Sequence, residues 1–372
     1  MKTVKIITAV LLAFVFFNAA TCQNAANAIS NNEIVPLKTI YEDCFLVGNI
    51  ITPRYLMEEY LEIITTHFNT VTCENDMKPD RLAPRVKGDP YRWDAADNLV
   101  RRMAENNIKV HGHTLIWHSQ THAWMTTGTP AEVRENLISH IKTVLGHYKG
   151  KVFSWDVVNE ALREGVSDAS DWRNCLRTDS GWYKAMGADY IELAFRTARE
   201  ADPDVLLYYN DYNLNSQRKA DAVRNMVKEL NDKYKAEGNT RNLIDGIGMQ
   251  AHYSNNTRIG DVRSSIEKFA EIGVIVDISE LDVETRTTSG NSGIRRNSVM
   301  TETEARLQAI HYAMLFNLFR EKKEHITRVT MWGIDDENSW KSYGNPCLFD
   351  GDLNPKPAFY AVSYASSYLE GE

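Results

Sequence analysis

From residue 40 onward, short apolar runs alternate with longer segments whose apolar residues recur every three or four positions. An apolar run of five to eight residues between polar stretches reads as a strand covered on both faces. The longer period reads as a helix packing one side against it. Strands are predicted at Phe45–Ile51, Phe68–Cys73, Lys109–Leu115, Val152–Val158, Val205–Tyr209, Ile247–Ala251, Val274–Ser279 and Val329–Gly333. Helices are predicted between them, among them Trp93–Asn106, Pro130–Tyr148, Lys184–Ala201 and Glu302–Lys322. Thr129 before Pro130 marks the start of one of these, since a threonine side chain caps exposed N–H groups and proline costs nothing in a first turn.

Alternating strands and helices imply a parallel sheet, and eight such pairs is the number at which that sheet closes. The α/β class and a single (β/α)8 TIM barrel over residues 40–370 follow. No Gly/Ser or Pro/Thr linker interrupts this stretch. Three long polar segments, Arg163–Gly181, Ser254–Gly260 and Thr285–Ser298, each come after a strand, which places them on the rim where barrels carry their chemistry.

The first 22 residues have a different character. Lys2 and Lys5 precede the apolar run Ile6–Phe17, and small residues follow, the order of a secretory signal peptide. Its end is set as late as residue 28 by Ala26-Asn27-Ala28, while Ala19-Ala20-Thr21-Cys22 offers the other route, lipid attachment at Cys22. The expected destination is secreted or extracytoplasmic. Of the five cysteines, Cys44, Cys73, Cys175 and Cys347 lie in the barrel with no close pair, so zinc and dithiol motifs are absent. Buried free thiols are expected there, with one disulfide as the alternative.

The net charge of -8 excludes nucleic acid and an anionic membrane as natural partners. Eight tryptophans and seventeen tyrosines suit stacking on sugar faces, although a large aromatic core would use them equally well.

The chemistry lies at the ends of the predicted strands. In WDVVNEA, Trp155 to Ala161, an apolar run ends in Asn159 and Glu160, and in VIVDISELDV, Val274 to Val283, another ends in Glu280 and Asp282. Strand alternation puts positions 276, 278, 280 and 282 on one face, so Glu280 and Asp282 should point the same way. A parallel barrel delivers every strand end to one rim, which would bring two glutamates 120 residues apart in the chain together. The same rim collects Glu74, Asn75 and Lys78, His113, Trp117 and His118, Asn210 to Asn213, Gln250 and His252, and Trp332 with Trp340. Acetal cleavage needs one carboxylic acid to protonate the leaving oxygen and one carboxylate to capture the oxocarbenium-like carbon. Amides, imidazoles and lysine then bind hydroxyls, and indoles stack on pyranose rings.

The runs CENDMKPD, HGHTLIWHSQ, WDVVNEA, YYNDYN, DGIGMQAHY, ISELDV and TMWGIDDENSW, in this order, resemble those of the family 10 glycoside hydrolases, the endo-1,4-β-xylanases. The resemblance covers about residues 40 to 370. It implies an eight-stranded β/α barrel cleaving internal β-1,4 bonds of xylan with retention of configuration. Glu160 is then the acid/base and Glu280 the nucleophile. Asn159 binds the sugar 2-hydroxyl, His252 hydrogen-bonds the nucleophile, and Asp282 supports His252 from behind. His113 and Trp117 line the same subsite; Glu74, Asn75 and Lys78 reach toward the next sugar on the non-reducing side. Gln250 lies beside the acid/base, Tyr212 stacks on the leaving side, and Trp332 and Trp340 form an aromatic wall. No metal or cofactor is called for. Xylan or xylo-oligosaccharide is the implied partner, and no protein partner is indicated, so a monomer is expected.

Three rival readings remain. His111 and His113 form the HxH pair of a metal-dependent hydrolase, although later strands offer only His252 as a further ligand. A sugar-binding barrel without catalysis should have lost one of the glutamates. A β-1,4-glucanase differs by accepting a C5 hydroxymethyl group, which Trp340 is expected to crowd. Asp156, upstream of Glu160, is expected to be a polar residue of the barrel core.

Overall fold

In a computed structural model, described here over residues 34–285 and 300–370, nine parallel strands alternate with helices. The strands are β1 (Leu46–Ile51), β2 (Thr70–Cys73), β3 (Lys109–Trp117), β4 (Ser154–Asn159), β5 (Leu206–Asp211), β6 (Gly246–Met249), β7 (His252–Ser254), β8 (Ile275–Glu284) and β9 (Ile326–Met331). They pair in the order β6-β5-β4-β3-β2-β1-β9-β8, and a β6–β8 pairing closes the ring. The eight-stranded barrel expected from the apolar runs is therefore present. β6 and β7 share its sixth position: the predicted strand Ile247–Ala251 stops at Met249, Ala251 takes a left-handed φ of 60°, and pairing resumes at His252. The expected signal peptide, Cys22, Ala26 to Ala28, and residues 286–298 of the third loop lie outside the described residues.

Around the ring stand α1 (Glu58–His67), α2 (Asp94–Glu105), α3 (Pro130–Tyr148), α4 (Asp189–Ala201), α5 (Gln217–Ala236), α6 (Ile259–Ala270), α7 (Glu302–Glu321) and α8 (Pro357–Ser363). Helix α3 begins where Thr129 and Pro130 indicated. Thr129 Oγ1 accepts from Glu132 N, and Glu132 Oε2 accepts from Thr129 N, a reciprocal cap. Its buried residues Val133, Leu137, Ile141, Val144 and Tyr148 recur at helical spacing, which is why one stripe packs inward. The predicted helix Lys184–Ala201 is instead two, Gly181–Met186 and α4, because Gly187 at φ 62° ends the first. Cys44, Cys73, Cys175 and Cys347 are free thiols.

Inside the barrel a polar layer replaces the usual aliphatic filling. Arg328 of β9 is buried and donates to Asp277 of β8 (Nη2–Oδ2 2.9 Å), to Thr72 of β2 and to Thr330. A charge this far from water survives only with its partners in place. Above it, Asp156 of β4 receives both His111 Nε2 at 3.0 Å and His113 Nδ1 at 2.8 Å, as a core residue should. His111 Nδ1 also meets Ser154 Oγ at 2.7 Å. The two imidazoles hold the Asp156 carboxyl far below the usual range, despite a burial that works the other way.

Candidate active site

Glu160 and Glu280 reach one cleft through two departures from regular strand geometry. In β4 the register against β5 slips between Asp156 and Val158. Glu160, the next residue after the strand, has φ 55°. In a regular strand the adjacent side chains of Asn159 and Glu160 would face opposite ways. With the bulge and the left-handed residue, both line the cleft. In β8 the register against β9 slips between Ile278 and Leu281. The expectation that positions 276, 278, 280 and 282 share a face therefore holds only for Glu280 and Asp282. Asp277 and Ser279 point into the barrel, bonded to Arg328 and Asn210, while Val276 and Ile278 belong to the apolar core. A bulge reverses the parity of everything after it.

The cleft encloses about 270 Å³ and is lined by Glu74, Asn75, Lys78, His113, Trp117, Gln120, Asn159, Glu160, Gln250, His252, Glu280, Trp332 and Trp340. Hydrogen bonds join its two carboxylates. Asn210 Nδ2 donates to Glu280 Oε1 at 2.8 Å and to Asn159 Oδ1 at 3.0 Å. Gln250 Nε2 donates to that same Asn159 oxygen at 3.2 Å and to Glu160 Oε1 at 2.9 Å.

The two carboxyl groups differ in environment. Burial, with the negative charge of Asp211 adding to it, pushes Glu160 above the usual carboxyl range, against the N–H donors of Gln250 and Trp117 (Trp117 Nε1–Oε2 3.0 Å). Glu280 is 5% exposed, and burial alone would raise it too. The hydrogen bond from His252, the neighbouring His113 and the Asn210 amide outweigh burial and hold Glu280 below the usual range. His252 lies between two carboxylates, Nε2 at 3.1 Å from Glu280 Oε2 and Nδ1 at 2.8 Å from Asp282 Oδ2. Burial opposes its charge, but Asp282 and Glu280 prevail and push it up to about 9. Asp282 is fixed in turn by Trp340 Nε1 at 3.1 Å and Lys341 Nζ at 3.4 Å. The surroundings thus push one carboxyl toward its protonated form and the other toward its ionised form, the direction of division that acid and nucleophile require.

The remaining lining suits a carbohydrate. Lys78 Nζ bonds Asn75 Oδ1 and Gln120 Oε1, each at 3.0 Å, and lies 5.0 Å from the centre of the Trp117 ring. Trp332 is buried and meets His113 and His252 edge-on, whereas Trp340 is 55% exposed and packs 4.8 Å from His252. Burial raises the Glu74 carboxyl and lowers the Lys78 ammonium.

Tyr212 stands apart from the residues lining this cleft. Its ring lies over Lys219 Nζ, 3.7 Å from the centroid, and its hydroxyl accepts from Arg177 Nη2. Asn210, Gln120 and Arg177 carry contacts to the site that strand-end reading left without a role. Asn210 stood in the strand-five inventory, and Gln120 in the HGHTLIWHSQ run. Nothing local signals Arg177, which arrives from a loop. His111 and His113 converge on Asp156, and His252 turns to Glu280 and Asp282, so the HxH pair does not build a ligand set with His252. Among the described residues no group of three His, Cys, Asp or Glu side chains could hold a metal ion.

The model of glycosyl hydrolase family 10 matches residues 36–365. The chain belongs to that family. Family 10 relatives agree along nearly all of the described chain. Endo-1,4-beta-xylanase A of Thermotoga maritima is 40% identical over 344 residues, which is 89% of this chain and 31% of that protein. The chain thus spans under a third of the length of that relative. Beta-1,4-xylanase of Dictyoglomus thermophilum is 38% identical over 89% of this chain and 91% of its own length. A crystal structure of a family 10 xylanase from termite gut that contains a bacterial Ig-like domain superposes with a TM-score of 0.84 at 34% identity. It covers 91% of this chain and 80% of that one.

Proposed function

We propose that this protein cleaves internal β-1,4 bonds of xylan by double displacement, with Glu160 as acid/base and Glu280 as nucleophile. The observation that carries the reading is the pair itself. One cleft places a carboxyl raised by burial and Asp211 beside one held down by His252 and Asn210, both bonded through Asn159 and its partners. Glu280 attacks the anomeric carbon while Glu160 protonates the departing oxygen; Glu160, now a carboxylate, then takes a proton from water as water displaces Glu280. Asn159 donates to the sugar 2-hydroxyl, a bond that tightens as the ring flattens. His252, supported by Asp282, keeps Glu280 ionised. Glu74, Asn75 and Lys78 hold the next sugar on the non-reducing side, His113, Trp117, Gln250, Trp332 and Trp340 enclose the reacting ring, and Tyr212 supports the leaving side. The named activities of the family 10 relatives support xylan as the polymer.

Incubating the purified protein with xylan and, in parallel, with carboxymethyl cellulose tests the proposal. Rapid accumulation of short xylo-oligosaccharides of mixed length is expected. Release of monomers alone, or faster attack on the glucan, would overturn it. The lysine-led apolar leader supports export as part of the same proposal, and N-terminal sequencing of protein recovered outside producing cells checks it.

A further inference from the structure

Glu160 combines two demands that conflict. Its carboxyl must sit accurately at a glycosidic oxygen, yet its backbone adopts φ 55°, a conformation in which a side chain crowds its own carbonyl. Something must hold that backbone. On one side β5 does so, because Glu160 N donates to Asn210 O at 2.9 Å. On the other side the Glu160 carbonyl accepts from Arg177 Nε at 3.0 Å, and Arg177 N donates to Ala161 O at 2.9 Å. The same guanidinium donates through Nη2 to the Tyr212 hydroxyl.

The loop that delivers Arg177 is itself anchored. Leu162 bridges Leu176, Trp172 Nε1 donates to Glu229 Oε2 on α5 at 2.9 Å, and Asn225 Nδ2 donates to Ala169 O at 3.0 Å. Tyr212 is clamped from beneath by Lys219, whose ammonium is paired with Asp211 at 2.7 Å.

We propose that Arg177 is a positioning residue for the reaction: one guanidinium ties the backbone of the acid/base to the tyrosine on the leaving side, so that the acid and the departing group are held in one frame. This rests on the reading of Glu160 as acid/base. Arg177 touches neither carboxylate, and acts through the Glu160 main chain and the Tyr212 hydroxyl. Freed of this strap, the Glu160 carboxyl drifts from the oxygen it must protonate. A misplacement near 1 Å costs up to about a hundredfold in rate.

The test compares two substrates that differ only in how much proton donation they need. Phenyl β-xylobioside has a poor leaving group, and dinitrophenyl β-xylobioside departs without a proton. Neither carries a sugar on the leaving side, so any loss of stacking at Tyr212 weighs equally on both. For Arg177→Met in the full chain, kcat/KM for the phenyl substrate should fall roughly tenfold to a hundredfold, and that for the dinitrophenyl substrate by less than about threefold. Arg177→Lys should recover part of the phenyl rate, since an ammonium can still reach one of the two acceptors. Equal losses on both substrates would mean that Arg177 merely supports the loop, and would overturn the proposal. Glu160→Ala, measured alongside, must show the same split more strongly. If it loses both substrates equally, the acid/base reading itself fails; if it splits them and Arg177→Met does not, only the role of Arg177 fails. Should Arg177→Met prove unfolded by circular dichroism, Arg177→Gln takes its place under the same criteria.

Discussion

Replacing His252 with alanine should move the acidic limb of the rate profile to higher pH. His252 Nε2 stands 3.1 Å from Glu280 Oε2, and its other nitrogen is held by Asp282 at 2.8 Å. The bare attraction of unit charges at that separation is about 5 kcal/mol at an effective dielectric constant near 20. The net value of a hydrogen bond to a charged group is smaller, about 1.5–3 kcal/mol. At about 1.4 kcal/mol per pH unit, the net value predicts a rise of about one to two pH units in the pH at which Glu280 ionises. The sign follows from the chemistry. The nucleophile must be ionised, His252 favours that form, and its removal lets Glu280 keep its proton to higher pH. The assay is kcat/KM against pH with dinitrophenyl β-xylobioside, which needs no proton from Glu160 and so isolates the acidic limb. A limb that stays in place or moves to lower pH would refute the argument. Stability supplies a second reading. His252, pushed up to about 9 from an ordinary 6.5, contributes stability that is complete below pH 6.5 and fades as pH rises through 9. Glu280, held below an ordinary 4.5, contributes stability that is present above that pH and fades below it. The gap in Tm between wild type and variant should therefore be widest between pH 4.5 and 6.5 and narrow toward pH 9.

Three further outcomes are expected. Glu160→Ala should lose about a hundredfold to ten-thousandfold in kcat/KM on xylan while sparing dinitrophenyl xylobioside, measured by initial rates; equal losses would contradict proton donation. Asp211→Asn removes a negative charge that helps hold the Glu160 carboxyl above its usual range, so the alkaline limb on xylan should move to lower pH, and an upward move would reverse the assigned sign. Arg328→Met leaves Asp277 buried without its cation and should destabilise the barrel by about 3–5 kcal/mol in denaturant unfolding, whereas a loss under 1 kcal/mol would mean that water enters the barrel centre.

The positions of these groups were legible in the sequence to different degrees. The capped helix at Thr129 and Pro130 begins as its local chemistry dictates, and the eight apolar runs mark the eight strand positions. Strand ends were less accurate. β8 runs five residues past the predicted Ser279 and carries Glu280 and Asp282 within it, because its pairing with β7 extends the ladder beyond the apolar stretch. The helix predicted from Lys184 fails at Gly187, where a left-handed glycine overrides the continuing period. Arg177 gave no signal at all, since an arginine in a polar loop resembles any solvated side chain until its partners are placed.

What the sequence determined by itself is the inventory: eight apolar runs, all but the first ending in groups able to bind, ionise or stack, spaced so that a parallel sheet must collect them on one rim. That follows from period and side-chain chemistry, which are local. Tertiary structure alone decided how those groups face one another. Bulges in β4 and β8 reverse the alternation so that Asn159, Glu160, Glu280 and Asp282 all turn inward. Contacts between strands distant in the chain, Asn210 and His252 to Glu280 and the Asp211 charge near Glu160, drive the two carboxyls in opposite directions. Protonation depends on the field of neighbours gathered in space, and no period along the chain encodes that field.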